Sequence, residues 1–161
     1  MPRLSLISGT TRGTSSFNTI AAPQTEIYLD GTREFVEALL NASIEGRGEI
    51  GAVYPLLVES VELLEPHFIY ELRSWGRETF PQLSQEKKVT IANALADLSR
   101  VIWALPEGDP DIDLEIAIAC NELALELLNS SEAPELWATI NNNLALAYSE
   151  RSFGDTVNND L

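Results

Sequence analysis

The sequence has one cysteine, one histidine and 10 basic residues against 25 acidic ones. A lone thiol, Cys120, excludes an internal disulfide and suits a reducing compartment, so a cytoplasmic location is expected. One histidine and one cysteine are too few for a zinc centre, and no cofactor is expected. A formal net charge of −15 without a clustered basic face argues against nucleic acid, because a phosphate backbone would be repelled; the nearest basic pair is Arg73 and Arg77. No apolar run reaches the roughly 18 to 20 unbroken residues that a membrane helix needs, so no membrane partner is expected. Gly-x-Ser-x-Gly is absent, and the glycines at Gly9 and Gly13 lack the Gly-Lys-Ser/Thr ending of a phosphate loop.

What the sequence does have is helical periodicity. Residues 1–27 are poor in acid, rich in Ser, Thr and Gly, and without sustained period, so they read as a disordered leader. Six amphipathic helices follow. The first is capped near Thr32, carries Phe35, Leu39 and Leu40, and stops at Gly46 and Gly48. The second tolerates Pro55 in its first turn and presents Val53, Leu56, Leu57, Val61 and Leu64. Pro66 starts the third, whose face is Phe68, Ile69, Leu72 and Trp75 and which Gly76 and Pro81 close. Ser84 caps the fourth, whose stripe Ile91, Leu95, Leu98 and Ile102 advances by one helical face. An acidic loop from Glu107 to Asp113 leads to a fifth helix that is apolar almost all round and should be the most buried. Pro134 opens the sixth, with Trp137, Ile140, Leu144 and Tyr148 on its inner side. The three tryptophans, Trp75, Trp103 and Trp137, are expected as core anchors.

The segment Asn93-Ala-Leu-Ala-Asp-Leu matches Asn142-Asn-Leu-Ala-Leu-Ala, so Leu95 aligns with Leu144 at a period of 144 − 95 = 49. Asp113-Leu114 matches Asp160-Leu161 at 161 − 114 = 47. Leu144-Ala-Leu-Ala-Tyr148 carries the Leu, small residue, Tyr spacing of a tetratricopeptide (TPR) first helix, and Ala117 with Ala124 fits the small residues of its second. The period exceeds the standard 34, and Asn141 stands where Trp is usual. Together with Pro134-Glu-Leu-Trp-Ala138, Arg151 and Gly154-Asp155, these residues resemble the long-period TPR arrays of cyanobacterial proteins, often joined to a CHAT (caspase-like) domain. The resemblance covers about residues 33–161. It implies an all-α fold of antiparallel helix pairs, a TPR-like α-solenoid segment with an N-terminal helical cap: leader 1–27, cap region 28–83, and about one and a half repeats over 84–161. It also implies a non-catalytic scaffold for a protein or peptide partner. Two alternatives are a regulatory segment of a CHAT-type cysteine protease and a structural or oligomerisation module.

Candidate chemistry is sparse. His67 and Cys120 stand 53 residues apart, near the spacing of a caspase-type dyad, but Cys120 lies in an apolar helix without the local signature, so an inert thiol and no enzymatic activity are expected. Asp109-Pro-Asp-Ile-Asp113 begins like a calcium loop and then fails, because Leu114 takes the glycine position and Cys120 that of the bidentate Glu. Recognition is expected on the polar face of the first helices: Asn93, Asp97 and Arg100, with Asn142, Leu146 and Ser149 one repeat later. Leu146 and Ala147 are expected to face the place of a seventh helix, so that the C-terminal helix frays or self-associates.

Overall fold

A computed structural model describes the backbone over residues 21–159 and side chains over 31–154, and among these residues every regular element is helical. The elements are α1 (Ala21–Glu45), α2 (Ile50–Glu59), α3 (Pro66–Thr79), α4 (Gln85–Trp103), α5 (Pro110–Glu126) and α6 (Pro134–Asn159), with single 3-10 turns at Val61–Leu63 and Phe80–Gln82. Two compact units, Met1–Gly31 and Thr32–Leu161, divide the chain, and the core described below belongs to the second.

The expected leader lies outside the described residues up to residue 20, and α1 takes in its last seven positions. Thr32 is therefore not a cap; it is buried within α1. Pro23 falls in the first turn, where a missing N–H breaks no bond, so the helix extends upstream of Thr32. α1 ends in a turn with Arg47 and Gly48 both at positive φ (52° and 78°). The left-handed backbone favours glycine at position 48, and a side chain there would also have to displace the carboxylate of Asp97.

α2 carries Pro55 in its second turn rather than its first, which leaves the Gly51 carbonyl without its helical donor. Gly76 does not close α3. It lies buried inside the helix, where a Cβ would stand 3.1 Å from Cδ2 of Leu123; this glycine sets the close approach of α3 to α5. Ser84 caps α4 as expected, its Oγ accepting from the Lys87 N–H at 3.4 Å.

α5 is the centre of the assembly, packed against α3, α4 and α6, and it carries the most buried residues of any helix among those described. Its start is earlier than the sequence suggests: Asp109 is the N-cap, with Oδ1 accepting from Asp111 N at 3.0 Å and Ile112 N at 3.4 Å, and Asp113 is already inside. Small residues, Ala92, Ala94 and Ala96 on α4 with Ala117, Ala119 and Ala124 on α5, are all buried and allow close helix approach. Within this pair the Asn121 amide donates to Ser99 Oγ at 2.8 Å and to the Ala117 carbonyl at 2.9 Å. Fully buried Leu39, Leu57, Phe68, Leu98 and Ile102 supply the bulk of the core, at about 1.5 to 3 kcal/mol each for burial. Arg33 ties α1 to α3 through Glu71 (3.4 Å) and Glu78 (2.6 Å).

α6 differs most from expectation. Its inner face is Ile140, Leu144 and Ala147, whereas Trp137 and Tyr148 are 37% and 38% exposed. Ala147, expected to look outward, is fully buried against α5 residues Leu114 and Ile118. The helix continues past Gly154 to Asn159, and Asp160 and Leu161, the partners of the 47-residue match, lie outside the described residues. A glycine costs a helix only about 1 kcal/mol and does not by itself end it. Of the three tryptophans only Trp75 is a core residue, edge-on to Phe80 at 5.6 Å between ring centroids; Trp103 is half-buried.

Candidate functional site

All six residues expected to face a partner lie on α4 or α6. On α4, Asn93 and Arg100 are exposed and Asp97 is half-buried. Asp97 is committed locally: it packs against the Gly48 turn and accepts from Arg100 Nη2 at 3.0 Å. On α6, Asn142, Leu146 and Ser149 recur on one face, all exposed, and Phe153 continues that face at i+11. Leu146 and Phe153 are 55% and 68% exposed, the two apolar side chains of this outer strip.

Of the six, only Arg100 lines a hollow that α6 also lines, and the α6 residue there is Asn143 rather than Asn142. Ser99, Arg100, Trp103 and Ala104 on one side and Asn143 on the other line a hollow of about 380 Å³ between α4 and α6. Trp103 also walls a second cavity of about 390 Å³, with Leu114, Asp111 and Glu115 from α5 and Glu150 and Arg151 from α6. Trp103 is thus common to the linings of both hollows. Sequence reasoning passed over this residue because it read every tryptophan as core. The signal was present: Trp103 follows the stripe residue Ile102 and so sits about 100° round the helix from the buried face.

A network of charged groups, running from the Trp103 cavity to Arg73, fastens α6 to α5 and α3. Glu122 accepts from Arg73 Nη2 at 2.7 Å and from the Tyr148 hydroxyl at 2.5 Å. Burial would push the Glu122 carboxyl up, but these two donors outweigh it and hold the carboxyl below its ordinary range. Arg151 donates to Glu115 through Nε and Nη2, both at 2.7 Å, and lies 5.5 Å from the centre of the Tyr148 ring. Tyr148 therefore acts at the rim of the helix, its hydroxyl bonded, rather than in the core.

The remaining chemistry is that of a packed helix. Cys120 is fully buried, and burial pushes its thiol up to about 12, far from a nucleophilic thiolate. His67 stacks on Tyr70 on the same helix, with ring centroids 5.6 Å apart. Among the described residues no group of three or more His, Cys, Asp or Glu side chains could hold a metal ion, and no helix is long and apolar enough to cross a membrane. Cys120→Ala is expected to cost at most about 1 to 2 kcal/mol. A thiol reagent should label the folded wild-type chain only as fast as it opens, which stopped-flow or mass-spectrometric labelling would check; rapid labelling in native buffer would contradict the burial.

No family model matches the chain, and neither a curated protein nor a solved structure does.

Proposed function

We propose that this chain is a non-catalytic scaffold of TPR type that binds a protein or peptide across the exposed faces of α4 and α6. The observation that supports it best is an interval: α4 opens at Gln85 and α6 at Pro134, the same 49 residues that separate the matched segments Asn93-Ala-Leu-Ala and Asn142-Asn-Leu-Ala. Helices repeating with one helix between them, packed through small residues, are the unit from which a solenoid is stacked. In that arrangement the first helices of successive pairs line the recognition face, and here they enclose the Arg100–Asn143 hollow. Cytoplasmic location follows as part of this proposal from the single reduced thiol.

The test is a peptide array covering acidic, neutral and basic sequences, with bound peptides mapped on the full chain by hydrogen exchange. Protection concentrated in residues 93–104 and 142–154 is the expected result. Binders that protect only the α1–α3 surface, or a complete lack of binders, would overturn the scaffold reading.

A second reading, a self-association module, draws on the exposed Leu146 and Phe153 of the outer α6 strip. Light scattering separates the two: a mass that rises with concentration and returns to that of one chain in Leu146→Glu favours self-association, and a single-chain mass throughout removes it.

A further inference from the structure

The cavity walled by Trp103 has a mixed lining: Trp103 and Leu114 are apolar, Asp111, Glu115 and Glu150 bring three carboxylates, and Arg151 brings one cation. One of the three is already neutralised, since Glu115 is held by both arms of Arg151 at 2.7 Å. Asp111 and Glu150 have no ion-pair partner among the described residues. Two exposed carboxylates with no ion-pair partner among the described residues, beside an indole and in a chain of net charge −15, give the cavity a local excess of negative potential.

We propose that this cavity receives an arginine side chain from a basic segment of the partner protein; the assignment rests on the scaffold reading above and names its partner's chemistry. A guanidinium suits both kinds of lining group at once. Its planar face stacks on an indole, and its N–H fork bonds carboxylates, which a compact ammonium does less well. About 390 Å³ is at the small end of ligand cavities and suits one extended side chain rather than a folded element. Other occupants are disfavoured by the same lining. An acidic or phosphorylated segment is repelled by Asp111 and Glu150, and an apolar side chain would strip water from two carboxylates without replacing their hydrogen bonds. Trp103 lines both this cavity and the Arg100–Asn143 hollow, so the arginine would lie beside the α4–α6 face and the rest of the segment would run along it.

The experiment uses the full chain and fluorescently labelled peptides of one length and sequence in which the central residues are arginine, citrulline (its neutral isostere) or glutamate, read by anisotropy at low and high salt. The arginine peptide should bind about tenfold more tightly than the citrulline peptide, which corresponds to one decade in the dissociation constant. Asp111→Asn with Glu150→Gln should lose most of that difference. A control pair, Glu59→Gln with Glu62→Gln, removes the same charge from exposed positions at the end of α2 and should keep it. Trp103→Ala should weaken the arginine peptide several-fold, with thermal melts of each variant confirming that it folds. If both double variants lose binding equally, the attraction is only general charge and the cavity assignment falls. If neutral or acidic peptides bind along α4–α6 while the arginine peptide does not, the assignment falls and the scaffold reading stands. If no peptide of any charge binds, both fall.

Discussion

Asp113→Asn is expected to stabilise the protein at pH 7 by about 2 kcal/mol and to leave its stability near pH 4 unchanged. The reason lies in a carboxylate that the fold treats badly. Asp113 is fully buried, neither of its oxygens has a hydrogen-bond partner, and it is wedged against the backbone of Gly108. Burial, with Asp109 close by adding like charge, pushes its carboxyl up to about 6. The folded chain then holds a proton that the unfolded chain, with an ordinary carboxyl near 3.8, has already released. Stability contributed by this site is therefore fully present below about pH 4 and is lost as pH rises through about 6. The rise of about two pH units sets an upper limit of about 3 kcal/mol, and relaxation of the site around the charge reduces the expected gain to about 2.

Asparagine keeps the shape and removes the charge, so the quantity to measure is the difference between variant and wild-type unfolding free energies across pH. The other carboxylates act on both chains and cancel. A difference that grows from near zero at pH 4 to a plateau above pH 6 is expected; a flat difference, or a carboxyl resonance of Asp113 that titrates near 4, would contradict the burial argument.

How far the sequence discloses all this depends on whether local rules or tertiary packing decide each feature. The six helices, the Ser84 cap, Pro at the first turns of α3 and α6, and the central burial of α5 were legible, since periodicity and capping are local. Gly76 was misread because a glycine that ends a helix and one that lets a second helix approach are the same letter; only Leu123 at 3.1 Å distinguishes them. Asp113 looked like the third member of an acidic loop, and nothing in Asp109-Pro-Asp-Ile-Asp113 says that the cap falls on the first and the core on the last. The surface was partly legible. Asn93, Asn142, Leu146 and Ser149 were placed on exposed faces by phase alone, but the hollows at Trp103 depend on how α4, α5 and α6 come together, which no single-helix pattern contains.

Ile140→Ala is expected to cost about 2 to 5 kcal/mol, the range for emptying a fully buried branched side chain, and the distribution of the loss is more informative than its size. Ile140 is the residue by which α6 joins the main core, while Leu144 and Ala147 form a smaller cluster with Leu114 and Ile118. α6 packs chiefly on α5, so truncating Ile140 weakens one interface of the assembly and leaves the contacts of α5 with α3 and α4 in place. In a stacked array such a change is felt by the terminal unit first, because each unit is stabilised mainly by its neighbour. Native-state hydrogen exchange should therefore lose protection in residues 134–151 while residues 92–102 and 114–124 keep theirs. The ion-pair network of Arg73, Glu122, Tyr148, Arg151 and Glu115 lies at the rim and is too exposed to hold α6 in place once its apolar anchor is gone. Ile102→Ala, the same truncation on α4, should instead lower protection throughout, since Ile102 lies in the core shared by the second compact unit. Equal and uniform losses in the two variants would mean that Thr32–Leu161 unfolds as one cooperative body, and the array reading, with the function built on it, would have to be given up.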